Sequence, residues 1–143
     1  MREVTPTRLW IGNTLDARKI SNVLNCGIAV VIDLAIEEPP IQFPRDIVYC
    51  RFPLVDGAGN PSAILRAAVE TVAHFMAAGT PTLVACGAGM SRSPAIVAAA
   101  LAQTERITLM DALAQLTAGQ PHDVSPGLLQ DLAKVSQAAA RIL

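Results

Sequence analysis

Hydrophobic positions along the chain switch repeatedly between strand-like and helix-like spacing. Arg8-Leu9-Trp10-Ile11 predicts a short strand, stopped by Gly12-Asn13. Asp16 is a candidate cap for a helix over Ala17 to Leu24, ended by Asn25-Cys26-Gly27. Ile28 to Leu34 is a nearly continuous apolar run of strand length, the pattern of a parallel strand covered on both faces. Glu37-Glu38-Pro39-Pro40 reads as a surface loop, Ile47 to Phe52 as a strand ending at Pro53, and Leu54 to Pro61 as a second loop. From Ser62 to Ala78, Ile64, Leu65, Ala68, Val69, Val72 and Phe75 recur at helical spacing, and Gly79 closes the element. Thr82 to Ala85 predicts another strand. Ser93 to Thr104 is so uniformly apolar that it predicts a central, buried helix. Thr108 is placed to cap a helix through Thr117 with Met110, Leu113 and Leu116 inward; Gly119 to Asp123 breaks the pattern, and Ser125-Pro126 opens a last amphipathic helix.

Strands and helices alternate early, and helices dominate later. That order predicts an α/β fold: one three-layer domain over residues 1–143, with a mostly parallel sheet of four to five strands between helices. Ligands bind such sheets beyond the carboxyl ends of the strands, so the loops there are where chemistry is expected.

Composition narrows the possibilities. Apolar residues make up 52% and aromatics only 3%, so the core must be aliphatic. A formal charge of -1 gives no electrostatic case for nucleic acid or a membrane surface. No unbroken apolar run approaches the roughly 18–20 residues of a membrane span, and Met1 to Pro6 shows no secretory signal pattern; a cytoplasmic protein is the expectation. The three cysteines form no disulfide framework or metal-binding pair, and Cys26 and Cys50 read as small core residues.

Cys86 follows the strand Thr82 to Ala85, with Gly87, Ala88, Gly89, Met90 and Ser91 between it and Arg92. A strand, a glycine-bearing turn and a helix start in that order form an anion site, because the turn's N–H groups point inward above the helix's positive end. A sulfur at its mouth is favoured as the thiolate. Arg92 can fork two N–H groups onto a phosphate, and Gly89 permits close approach of the backbone. Cleaving a phosphate ester also requires a proton donor. Asp56, 30 residues before Cys86 in a loop beyond a strand, is the best placed carboxyl, although Asp-Gly is also a turn pair. Asp33, inside a strand, and Asp46, before one, are weaker candidates. His74 and His122 read as structural or exposed.

Cys86-x-x-Gly89-x-x-Arg92-Ser93 resembles the phosphate loop of cysteine-dependent protein tyrosine phosphatases, and Ser91-Arg92-Ser93-Pro94 is most similar to its dual-specificity branch. The resemblance runs from about residue 7 to residue 134, through Thr7 to Asn13, Gly27 to Leu34, Met110 to Leu113 and Val124 to Leu132. It implies a nucleophilic Cys86 that forms a phosphocysteine, and phosphate binding by Gly87, Ala88, Gly89, Met90, Ser91 and Arg92. It also implies Asp56 as general acid and Ser93 as the hydroxyl that stabilises the departing thiolate, with Ser91 structural. No cofactor and no metal are implied. The implied substrate is a phosphorylated protein, on serine, threonine or tyrosine, or a small phosphomonoester. Highly anionic phosphates are less favoured, because the loop adds no basic charge besides Arg92.

The chain departs from the family at Ala85, where histidine is usual, and this leaves thiolate activation open. That departure favours one rival, a phosphate-binding module without turnover; a phosphatase for a non-protein phosphate is a second alternative, because the wider family the chain resembles includes such enzymes. Sulfur transfer or arsenate reduction uses similar loops, but the Ser-Arg-Ser ending and the Asp56 loop argue against it.

Overall fold

The computed structural model describes residues 1–4, 8–118 and 122–142, with side chains through Ser136. Thr7 of the predicted opening motif, Gly119 to Pro121 of the predicted helix break, and Leu143 lie outside the described residues. The strands are β1 (Arg2–Val4), β2 (Leu9–Asn13), β3 (Val30–Ala35), β4 (Val48–Leu54) and β5 (Thr82–Cys86). The helices are α1 (Thr14–Arg18), α2 (Ile20–Asn25), α3 (Ser62–Ala78), α4 (Arg92–Glu105), α5 (Leu109–Thr117) and α6 (Pro126–Ile142). The sheet order is β1-β2-β5-β3-β4, parallel except where β1 pairs antiparallel with β2. The three-layer, mostly parallel architecture is the one predicted.

Strand alternation sorts the core. Leu9, Ile11, Val30, Ile32, Leu34, Val84 and Cys86 face one side, where they pack with α3, α4, α5 and α6. Trp10, Val31, Leu83 and Ala85 face the other, packing with Ala17 and Val23 of α1 and α2. A one-residue slip would exchange these sets, so two-sided burial fixes the register. β3 is buried at every position, as its apolar run predicted. α4 is buried from Arg92 through Ala102, and its alanines let neighbouring helices approach closely. No described helix is long and apolar enough to cross a membrane.

Four local expectations are corrected. The helix predicted over 17–24 is two short helices broken at Lys19 (φ -81°, ψ 80°), and its cap is Asn13, not Asp16. Asn13 Oδ1 accepts from the Asp16 N–H at 2.9 Å, and Asp16 Oδ2 accepts from the Asn13 N–H at 3.0 Å, a reciprocal capping box. β4 continues through Pro53 to Leu54, because it is an edge strand whose register shifts beside that residue, so no ladder donor is lost. Met110 is 61% exposed, on the outer side of α5, while Leu113 and Leu116 are buried as expected. Cys26 is exposed at the end of α2, and only Cys50 packs partly against the core. The chain also forms β1, which its polar-apolar pattern had not suggested.

Candidate active site

The parallel strands β2, β5, β3 and β4 end at one edge of the sheet; β5, β3 and β4 lead into loops that build the site, and β2 runs directly into α1 beside it. Cys86 closes β5 opposite Asn13 of β2. The loop from Gly87 to Ser91 then turns the chain into α4. Gly89 has φ +74°, and a Cβ there would lie 2.9 Å from the carbonyl carbon and oxygen of Gly12, so only glycine fits. Thr14 Oγ1 donates to the Cys86 carbonyl at 3.4 Å, and the Asp123 N–H donates to the Met90 carbonyl at 2.8 Å. The loop is thus held by the β2–α1 turn on one side and the α5–α6 connection on the other.

The Cys86 sulfur is buried and accepts N–H groups from Gly89 at 3.2 Å and Ser93 at 3.4 Å. Both N–H groups therefore point at the sulfur, one from the loop and one from the first turn of α4. The Ser93 hydroxyl is fully buried and makes no hydrogen bond with any described residue, so the backbone, not the hydroxyl, reaches the sulfur here.

Arg92 is only 5% exposed, and most of its donors are already engaged. Nη1 donates to Glu37 Oε1 at 2.5 Å and to the Leu54 carbonyl at 2.9 Å; Nη2 donates to Glu37 Oε2 at 2.6 Å. Nε is buried without a hydrogen-bond partner among the described residues. A guanidinium has five N–H donors. Three are taken, and those left are Nε–H and the second Nη2–H, which share one edge of the planar group. That edge is a two-pronged fork suited to an oxyanion. Nη2 lies above the loop, since a Cβ on Gly87 would come within 3.0 Å of it. The hydrogen bond to Glu37 raises the Arg92 pKa, and the guanidinium holds the Glu37 carboxyl below the usual glutamate range.

Asp56 reaches the same pocket from the loop after β4. Its Oδ1 accepts the Ser91 hydroxyl at 2.5 Å, while Ser91 Oγ accepts the Ser125 N–H at 3.0 Å. The Ser125 bond leaves the Ser91 proton to point at Asp56, and Oδ2 makes no bond to a described residue. Asn60 ties the loop by accepting the Val55 N–H at 2.8 Å and donating to the carbonyls of Val55 and Gly57. From α6, Asp131 accepts the Gly59 N–H at 2.9 Å, and Gly127 lets Ala58 approach closely.

A pocket of about 120 Å³ is lined by Asp56, Cys86, Ala88, Met90, Ser91, Arg92 and Asp123. The structure therefore brings together Cys86, Arg92, Asp56 and the predicted loop, with Ser93 directly beneath. Asp33 is elsewhere, accepting the Tyr49 hydroxyl at 2.5 Å. The pattern reading had not singled out Glu37, Asn60 or Asp123. For two of them the signal is position: Glu37 and Asn60 lie in the loops that follow β3 and β4, whereas Asp123, between α5 and α6, carries no such signal. Ala85 points away from the pocket, into the apolar cluster with Ala17, Val31 and Leu83.

The profile of the dual specificity phosphatase catalytic domain matches residues 9–137. The chain is 31% identical over 134 residues to dual specificity protein phosphatase PHS1 of Arabidopsis thaliana, covering 88% of this chain and 14% of that protein. It is 28% identical over 138 residues to human dual specificity protein phosphatase 15, covering 93% and 45%. The chain thus spans less than half the length of these curated relatives. Among solved structures, human DUSP28 superposes with a TM-score of 0.81 at 23% identity, covering 96% of each chain. A human tyrosine phosphatase-like serine/threonine/tyrosine-interacting protein gives 0.81 at 23%, covering 98% and 97%. These two share the fold. With a catalytic-domain match across nine-tenths of its length and a cysteine–arginine loop at the sheet's carboxyl edge, the chain belongs to the dual-specificity phosphatase family.

Proposed function

We propose that this chain is a cysteine-dependent protein phosphatase that hydrolyses phosphomonoesters on tyrosine, serine or threonine without a metal. The observation that carries the reading is the convergence of Cys86, Arg92 with two unengaged N–H groups, and Asp56 on one pocket. The phosphoryl group sits on the inward N–H groups of residues 87–92, with two of its oxygens on the Arg92 fork. Cys86 sulfur attacks phosphorus as the ester P–O bond breaks, and Asp56 gives its proton to the departing oxygen. The product alcohol leaves, and the phosphoryl group stays on sulfur. Asp56, now a carboxylate, takes a proton from water as that water attacks phosphorus. The S–P bond breaks, releasing inorganic phosphate and the thiolate. The N–H groups of Gly89 and Ser93 stabilise the thiolate both before attack and on its return, and the unpartnered Ser93 hydroxyl is the further donor for that return.

The test is hydrolysis of an aryl phosphate in excess chelator. The wild type should turn over, and Cys86→Ser and Arg92→Ala should not. Full turnover by Cys86→Ser would exclude the mechanism.

Ala85 supports a second reading, a module that binds phosphorylated partners without turnover. Its side chain packs with Ala17, Val31 and Leu83, so no imidazole backs the loop from that face. In that case the wild type would bind a phosphopeptide, lose binding in Arg92→Ala, and release no phosphate.

A further inference from the structure

The pocket holds more negative charge than the proposed chemistry uses. Besides Asp56, its lining includes Asp123, from the connection between α5 and α6. The N–H of Asp123 is bonded to the Met90 carbonyl at 2.8 Å, which ties this residue to the edge of the phosphate loop. Its side chain is exposed and forms no ion pair with any cation among the described residues. Among the described residues Arg92 is the one cation lining the pocket; Glu37 and Leu54 take three of its donors, and a phosphate would take the rest. Arg51 is not among the residues lining the pocket, and its Nη2 is turned to the carbonyls of Ala35, Ile36 and Glu38. A phosphate dianion therefore enters past an uncompensated carboxylate.

We propose that Asp123 makes the site selective for phosphopeptides with lysine or arginine beside the phosphorylated residue, an inference that rests on the phosphatase reading. The phosphoryl group goes to the loop and Arg92, while the neighbouring cation pairs with Asp123 at the mouth. An acidic neighbour, or a second phosphate on the same molecule, meets like charge there. Rim charges of this kind act on selectivity and encounter more than on the bound chemistry.

The experiment measures kcat/KM on three phosphotyrosine peptides, identical except for Lys, Ala or Glu on both sides of the phosphorylated residue. An inositol polyphosphate and an aryl phosphate are run alongside. The wild type should prefer the Lys-flanked over the Glu-flanked peptide by roughly tenfold, the combined size of one exposed attraction gained and one repulsion avoided. The preference should shrink as ionic strength rises. Asp123→Asn should bring the two peptides within about twofold, and Asp123→Lys should reverse their order. Equal rates on the three peptides, a preference unchanged in Asp123→Asn, or the inositol polyphosphate as best substrate would each overturn the inference. If the wild type hydrolyses the aryl phosphate, those results leave the phosphatase reading standing. No turnover of any substrate overturns both.

Discussion

Glu37 and Arg92, 55 residues apart, meet in a two-pronged ion pair at 2.5 and 2.6 Å that occupies one edge of the guanidinium and leaves another open. The pair fixes which N–H groups a phosphate can reach. Glu37 thereby acts on the proposed chemistry through Arg92, as a positioning residue. Glu37→Gln removes the charge and one acceptor while keeping the shape. Its kcat/KM on an aryl phosphate should fall about five- to tenfold, the size of one partly exposed charge-assisted hydrogen bond. Glu37→Asp, which keeps the carboxylate, should recover part of the loss. An unchanged kcat/KM in Glu37→Gln would show that Arg92 is held without it.

The same pair has a pH signature. Glu37 has a folded-state pKa below its ordinary value because it accepts hydrogen bonds from Arg92. Its contribution to stability is therefore fully present above the unfolded glutamate value of about 4.3. It is lost as pH falls below that value and through the depressed folded one. Urea unfolding of wild type and Glu37→Gln should show a stability gap at neutral pH that closes on acidification. A gap constant down to the acid limit would contradict the pairing.

Asp56→Asn should separate substrates by leaving group. An unactivated alkyl or phenyl ester needs protonation as its bond breaks, so its rate should fall by about 10²–10⁴. An ester with a strongly acidic leaving group should lose far less. Ser91→Ala, which removes the donor on Asp56 Oδ1, should shift the same ratio in the same direction by a smaller amount. Equal losses on both substrates would remove Asp56 from the acid role.

Gly89→Ala should be costly twice over. A Cβ would press to 2.9 Å against the Gly12 backbone, and φ +74° is strained for alanine. We expect about 1–3 kcal/mol of destabilisation, read as a lower urea midpoint, with loss of turnover as the loop shifts. Wild-type stability in Gly89→Ala would show that the two turns are not in contact.

Much of this was legible in the chain. The run from Ile28 to Leu34 and the apolar sequence of α4 could only be buried, and both are. Cys86 to Ser93 carried its chemistry in its spacing. What local pattern could not show was pairing across the fold. Glu37 reads as part of a solvated Glu-Glu-Pro-Pro loop until β3 and β5 are placed side by side, which brings that loop over Arg92. Asp123 looks like a helix breaker until the α5–α6 connection is bonded to Met90. Asp16 reads as the cap of a helix starting at Ala17, but the helix starts at Thr14, which makes Asn13 the cap and Asp16 its partner in the first turn.

The proposed mechanism rests on a covalent phosphocysteine. Rapid acid quenching of the wild type during turnover of an aryl phosphate, followed by mass spectrometry of its peptides, tests this directly. The expected result is one phosphoryl group on the peptide containing Cys86, absent from Cys86→Ser and more abundant in Asp56→Asn with a good leaving group. A phosphoryl group on any other residue, or steady turnover with Cys86 unmodified throughout, would contradict the account.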